Sequence, residues 1–172
     1  SVDETSIGLA GTAVNVEANK TPNEAHGDEF GVAPAFPFGG FNVQILDENG
    51  DSAPPFPLAI SDDVDALTEP PAEFVDPDKN GVPDNPVYFS LDFTSPTLAG
   101  IPASPADILW TVNGADPEIF ISEAELGLVP GDDIDAICLD TTYPSVLFSL
   151  APGSPTLIAT GAGPADLFLV TV

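Results

Sequence analysis

The sequence predicts an all-β, β-sandwich-like fold with an internal duplication and at most one or two short helices. Three observations predict it. Short runs of Val, Ile, Phe and Thr are punctuated by 20 Pro and 15 Gly, the pattern of many short strands joined by turns. Apolar residues make up 43% of the 172 positions, enough to bury one sizeable core or two small ones despite the charge. Blocks of sequence also recur in fixed register. Phe89-Ser90-Leu91, Ser95-Pro96-Thr97-Leu98 and Pro105-Ala106-Asp107-Ile108 return 59 residues later as Phe148-Ser149-Leu150, Ser154-Pro155-Thr156-Leu157 and Pro164-Ala165-Asp166-Leu167. Asp62-Asp63-Val64-Asp65-Ala66-Leu67 returns 70 residues later as Asp132-Asp133-Ile134-Asp135-Ala136-Ile137. The two offsets differ by 70 − 59 = 11 residues, so the first copy holds that much extra chain between its acidic block and its Phe-Ser-Leu block.

The elements follow in order. Alternation of Val14 and Val16 fits an edge strand. His26, the only histidine, sits in a polar, turn-like stretch and reads as an exposed loop residue, with metal ligation the weaker alternative. Phe30, Phe36, Phe38 and Phe41 lead into a strand over Phe41–Leu46; this aromatic group packs a core or offers a sugar platform. Asn49-Gly50 marks a hairpin.

Each repeat unit then reads alike. An acidic turn leads to a strand (Asp135–Leu139 in the second copy), a second strand follows (Val87–Leu91 and Val146–Leu150), and a Pro/Ser turn leads to a third (Ile108–Val112 and Leu167–Val172). Ser104-Pro105-Ala106-Asp107 predicts one short turn before its strand. Ser122-Glu123-Ala124-Glu125 is a capping box with Gly127 as a stop, and predicts the one clear short helix. One domain over residues 1–172 is expected, with an N-terminal arm and strands over 1–60, a first unit over 61–112 that carries the extra loop, and a second over 113–172.

The charge excludes partners. Twenty-eight Asp and Glu face two Lys (Lys20 and Lys79) and no Arg, for a net −26. Carboxylates in that excess cannot pair within the chain, and solvent, salt or bound metal must relieve their repulsion. Nucleic acid is excluded, because phosphate binding needs Lys and Arg. No apolar run approaches the roughly 20 residues that span a bilayer, so no membrane insertion is expected. The lone Cys138 lies in a strand pattern and reads as a buried, inert thiol. The chain opens on Ser1 and has no Met, as a chain freed of a signal peptide or a fragment of a longer one would.

The most specific chemistry is in Asp76–Asn85, which reads D-P-D-K-N-G-V-P-D-N. Oxygen-bearing side chains recur at Asp76, Asp78, Asn80 and Asp84, and Gly81 permits a sharp turn, so the loop can wrap one hard cation. This loop resembles the calcium repeats of thrombospondin type 3, and more loosely dockerin and EF-hand loops. The resemblance implies Ca²⁺ held by the side chains of Asp76, Asp78 and Asn80 and the backbone carbonyl of Val82, with Asp84 at the ninth position. Val87 stands where the twelfth, usually acidic, ligand falls. The recurring blocks resemble duplicated repeats of uncharacterised secreted bacterial proteins, which implies a secreted, extracellular or cell-surface bacterial setting and no catalytic assignment. The acidic blocks at Asp62–Asp65 and Asp132–Asp135 either cap turns and face water or add cation sites.

No nucleophile elbow, zinc-protease helix, phosphate loop or dinucleotide fingerprint occurs. Trp110, the only Trp, falls in a strand and reads as core or sheet surface. The expectation is a non-enzymatic, calcium-stabilised structural protein that self-assembles as a surface or filament subunit. Its homo-oligomer contact would run through the terminal apolar strand Leu167–Val172, which otherwise serves as a last core strand. The alternative is a carbohydrate-binding or adhesive module of a larger secreted protein, with glycans as ligands. A secreted hydrolase using paired carboxylates is the third reading.

Overall fold

In the computed structural model the described residues are 10, 12–20, 25, 27–32, 42–46, 58–59, 62–68, 86–112, 115–140 and 145–171. They form nine strands and three short helices. The helices are α1 (Ala13–Ala18), α2 (Pro96–Gly100) and α3 (Pro155–Thr160). The strands are β1 (Glu29–Val32), β2 (Asn42–Leu46), β3 (Val64–Thr68), β4 (Pro86–Leu91), β5 (Ile108–Val112), β6 (Glu118–Ile121), β7 (Ile134–Asp140), β8 (Ser145–Leu150) and β9 (Phe168–Thr171). All pairings are antiparallel, in sheets of order β1-β2, β3-β4-β5-β6 and β7-β8-β9. The protein is all-β and sandwich-like, as its short alternating strands require.

The duplication is structural as well as sequential. β3-β4-α2-β5 and β7-β8-α3-β9 trace the same path. Each opens with a bulge at the same place, between Val64 and Ala66 in one unit and between Ile134 and Ala136 in the other. Asp65 and Asp135 are therefore the extra, re-aimed residues of their strands.

The sheets of the two units pack on one another, and β4 of the first is buried on both faces. On β4, Val87, Phe89 and Leu91 join Leu109 in one core with Leu58 and Val64. Tyr88 on the opposite face joins Ile108 in a second core, and there they meet the inner face of the next sheet, Ile134, Val146, Phe148 and Leu150. This is why β4 is buried at all six positions. Two polar contacts cross the stack. Ser90 Oγ donates to the Ile134 carbonyl at 3.1 Å, and Ile134 N donates to the Pro105 carbonyl at 3.3 Å. Trp110 packs against the shared core beside Tyr88 and Phe120, as a core and sheet-surface residue does.

Four expectations are corrected. Residues 13–18 are helical, not an edge strand, because Thr12 Oγ1 accepts from Asn15 N at 3.3 Å and its cap overrides the β preference of two valines. The Ser122 capping box forms, with Glu125 Oε2 accepting from Ser122 N and Oγ at 2.9 and 2.7 Å, but it closes a single turn. Gly127, at φ 75°, ends it before a second turn can offset the cost of nucleation. The Ser-Pro-Thr-Leu blocks, expected as turns, instead start α2 and α3 with Pro in the first turn, which brings the helices to three. Cys138 lies on β7 as expected but is exposed, because its side chain shares the outer face of the last sheet.

Candidate metal site at the junction of the two units

The acidic blocks divide into two kinds of carboxylate. The first kind staples turns. Asp62 Oδ2 accepts from Ala59 N at 2.6 Å and from Thr97 Oγ1 at 2.5 Å, and its Oδ1 accepts from Thr97 N at 2.9 Å. Asp132 repeats this bond for bond. Val129 N and Thr156 Oγ1 donate to its Oδ2 at 2.8 and 2.5 Å, and Thr156 N donates to Oδ1 at 2.8 Å. Both residues are buried, and every bond reaches a charged acceptor, where hydrogen bonds are strongest. Ser95 and Ser154 complete the staple. Their hydroxyls accept from Asp63 N and Asp133 N at 2.8 and 3.1 Å.

The second kind converges where the two units meet. Asp65, Asp92 and Asp133 bring one carboxylate oxygen each within 4.8 Å of one another, a group that could hold a metal ion. Asp65 is placed by the β3 bulge, and Asp92 by the turn after β4, where its N donates to the Asp63 carbonyl at 2.9 Å. Asp92 also keeps a bond of its own, accepting from Thr94 N at 2.8 Å. Asp133 comes from the other unit, held by Ser154 and by Ala151 N, which donates to its carbonyl at 2.8 Å. The group thus spans both units. An open groove between Phe93, Pro105 and Pro152 runs past Asp133.

Electrostatics make the group costly without a cation. Burial, then the charges of Asp133, Asp92 and Asp63, push the Asp65 carboxyl up to about 8. Burial likewise pushes Asp133 up to about 6, although a hydrogen bond from Asp65 pulls the other way. Asp133 Oδ1 is buried and meets no hydrogen-bond partner. Among the described residues no cation relieves the three: Lys20, the only described cationic side chain, pairs with Glu17 at 2.5 Å. A bound cation would meet all these demands at once, supplying charge to three carboxylates and a partner to the orphaned oxygen.

The loop ligands Asp76, Asp78, Asn80, Val82 and Asp84 lie outside the described residues, as do His26, Phe36, Phe38, Phe41 and Asn49-Gly50. Asp92 escaped the sequence reading. Its signal was a departure from the repeat, since Ala151 occupies the matching place in the second unit. No family model, curated protein or solved structure matches the chain. No helix among the described residues is long and apolar enough to cross a membrane.

Proposed function

We propose that the protein is a non-enzymatic, secreted structural protein in which Ca²⁺ clamps stacked β units into a rigid scaffold, as a subunit of a surface layer or fibre. One observation carries the reading: Asp65 and Asp92 of one unit converge with Asp133 of the next, with a buried oxygen left without a partner. The donor set is carboxylate oxygen alone, which suits a hard cation and favours Ca²⁺ over metals that seek nitrogen or sulfur. The loop at Asp76–Asn85 offers a second site by its resemblance. A structural role is supported by the fate of the recurring polar residues. Asp62, Asp132, Ser95, Ser154, Thr97 and Thr156 are all consumed in turn-stapling bonds.

Thermal unfolding of the full chain in calcium and in chelator tests this. At free calcium about a hundredfold above Kd, linkage predicts roughly 2.7 kcal/mol of added stability. Asp92→Asn should remove the share due to the junction, and Asp78→Asn the share due to the loop. A melting temperature that calcium and chelator leave equal would refute the reading.

A further inference from the structure

The outer face of the second sheet repeats a surface that, in the first unit, is an interface. In the first unit Tyr88, Ser90, Ile108 and Trp110 form the face that the second unit covers. The residues 59 positions on are Leu147, Ser149, Leu167 and Leu169. They share one face, since Cys138 pairs with Leu147 and Leu147 with Leu169. Ile108 is fully buried, whereas Leu167 is 64% exposed and Leu169 68%. In stacked-repeat proteins a unit face left to solvent is normally polar. This one presents leucines.

A second feature opens on the same side. Four aspartates close one turn each through Oδ2: Asp62, Asp107, Asp132 and Asp166, the last two accepting from Val129 N and Gly163 N at 2.8 Å. In three of them Oδ1 also holds a distant backbone N–H. For Asp107 the donor is Glu123 N at 2.6 Å, from the turn that follows β6. Asp166, the counterpart of Asp107, is exposed and its Oδ1 meets no donor among the described residues. The counterpart of β6 would lie along the free edge of β9 and bring that donor.

We infer that the outer face and edge of the β7-β8-β9 sheet form a docking surface for one kind of partner, a further β unit of the same repeat joined in tandem behind β9. That unit would supply a β6-like edge strand, a backbone N–H for Asp166 and an apolar inner sheet face for Leu147, Leu167 and Leu169. It is the contact already made between the two units, displaced by one repeat. A second whole copy fits less well. Its Phe89 and Phe148 faces are already buried, and two chains of net charge −26 repel. A tandem joint offsets that repulsion through effective concentration. The inference rests on the scaffold reading for its biological sense, but its test does not use calcium, so either can fail alone.

Cys138 is the built-in reporter, being exposed, the only cysteine, and on this face. Residues 114–172 are appended after Val172 in repeat register, with the appended cysteine changed to Ala. The rate of Cys138 with a thiol reagent is then compared with that of the native chain. Docking should slow it by about tenfold or more, the protection expected of a face released only by local opening. Leu167→Glu with Leu169→Glu, both at exposed positions, should restore the native rate. An unchanged rate in the folded extended chain overturns the inference. So does a native chain that dimerises and protects Cys138 as its concentration rises, since the face is then a self-interface. If the extended chain does not fold, a peptide of residues 114–128 is titrated into the native chain and amide exchange of β9 is followed. Protection over Phe168–Thr171 that Asp166→Asn weakens supports the inference, and no protection at millimolar peptide overturns it.

Discussion

Changing Asp65 to Asn should stabilise the calcium-free protein, and the gain should grow with pH. Burial and the neighbouring carboxyls of Asp133, Asp92 and Asp63 raise its carboxyl from an ordinary 3.8 to about 8. A group raised in the folded state contributes fully below its unfolded value and loses that contribution as pH climbs through the folded one. The calcium-free native state is therefore weakened between roughly pH 4 and 8 by holding Asp65 away from free ionisation. The unscreened ceiling is about 6 kcal/mol at 1.36 kcal/mol per tenfold. Because the carboxyl is only half buried, solvent screening cuts this to about 2 kcal/mol. Asn keeps the shape and carries no charge, so it should recover most of that, about 4–8 °C in melting temperature for a domain of this size. The assay is thermal unfolding in chelator at about pH 5 and about pH 8, where the variant's advantage should be several-fold larger at the higher pH. With calcium present the order should reverse, because the variant has lost a ligand. A calcium-free Asp65→Asn protein no more stable than the parent at the higher pH would refute the reasoning.

Other outcomes follow from the same contacts. Asp132→Ala should cost about 3 kcal/mol or more in urea unfolding, since it strips a buried staple of its acceptor, whereas Asp166→Ala, at an exposed turn, should stay within about 0.5 kcal/mol. Ser90→Ala should cost about 1 kcal/mol by removing the donor to the Ile134 carbonyl. Phe148→Ala should cost about 3–5 kcal/mol, because the ring fills the core between the sheets and stacks on Phe168 at 5.5 Å. Calcium affinity, read by calorimetry in buffers of different ionisation enthalpy, should rise with pH and release about one proton per ion near pH 7, as the metal displaces the proton of the Asp65 carboxyl into the buffer.

The strands were legible because their residues obey a simple alternation and because the duplication reads each one twice. Val146, Phe148 and Leu150 could be aligned on Val87, Phe89 and Leu91 before any geometry was known. The helices were not, since each depends on a cap. Thr12 turns a valine pair into α1, and a Ser-Pro pair indistinguishable from a turn starts α2 and α3. The sorting of the acidic blocks was equally hidden. Asp62 and Asp63 are neighbours in a run of acids, yet Asp62 is stapled by Thr97, 35 residues away. The junction group needs Asp65 and Asp133 together across 68 residues, and no local pattern encodes that meeting. The exposure of Cys138 depends in turn on which face of the last sheet is left uncovered.

The proposed cation would sit between the two units. Crystals grown with a lanthanide in place of calcium would test it most directly, by anomalous scattering. The expected peak is bounded by the carboxylates of Asp65, Asp92 and Asp133, with Asp133 Oδ1 among its ligands. An ion bound at Asp76–Asn85 with no density among these three carboxylates would contradict it.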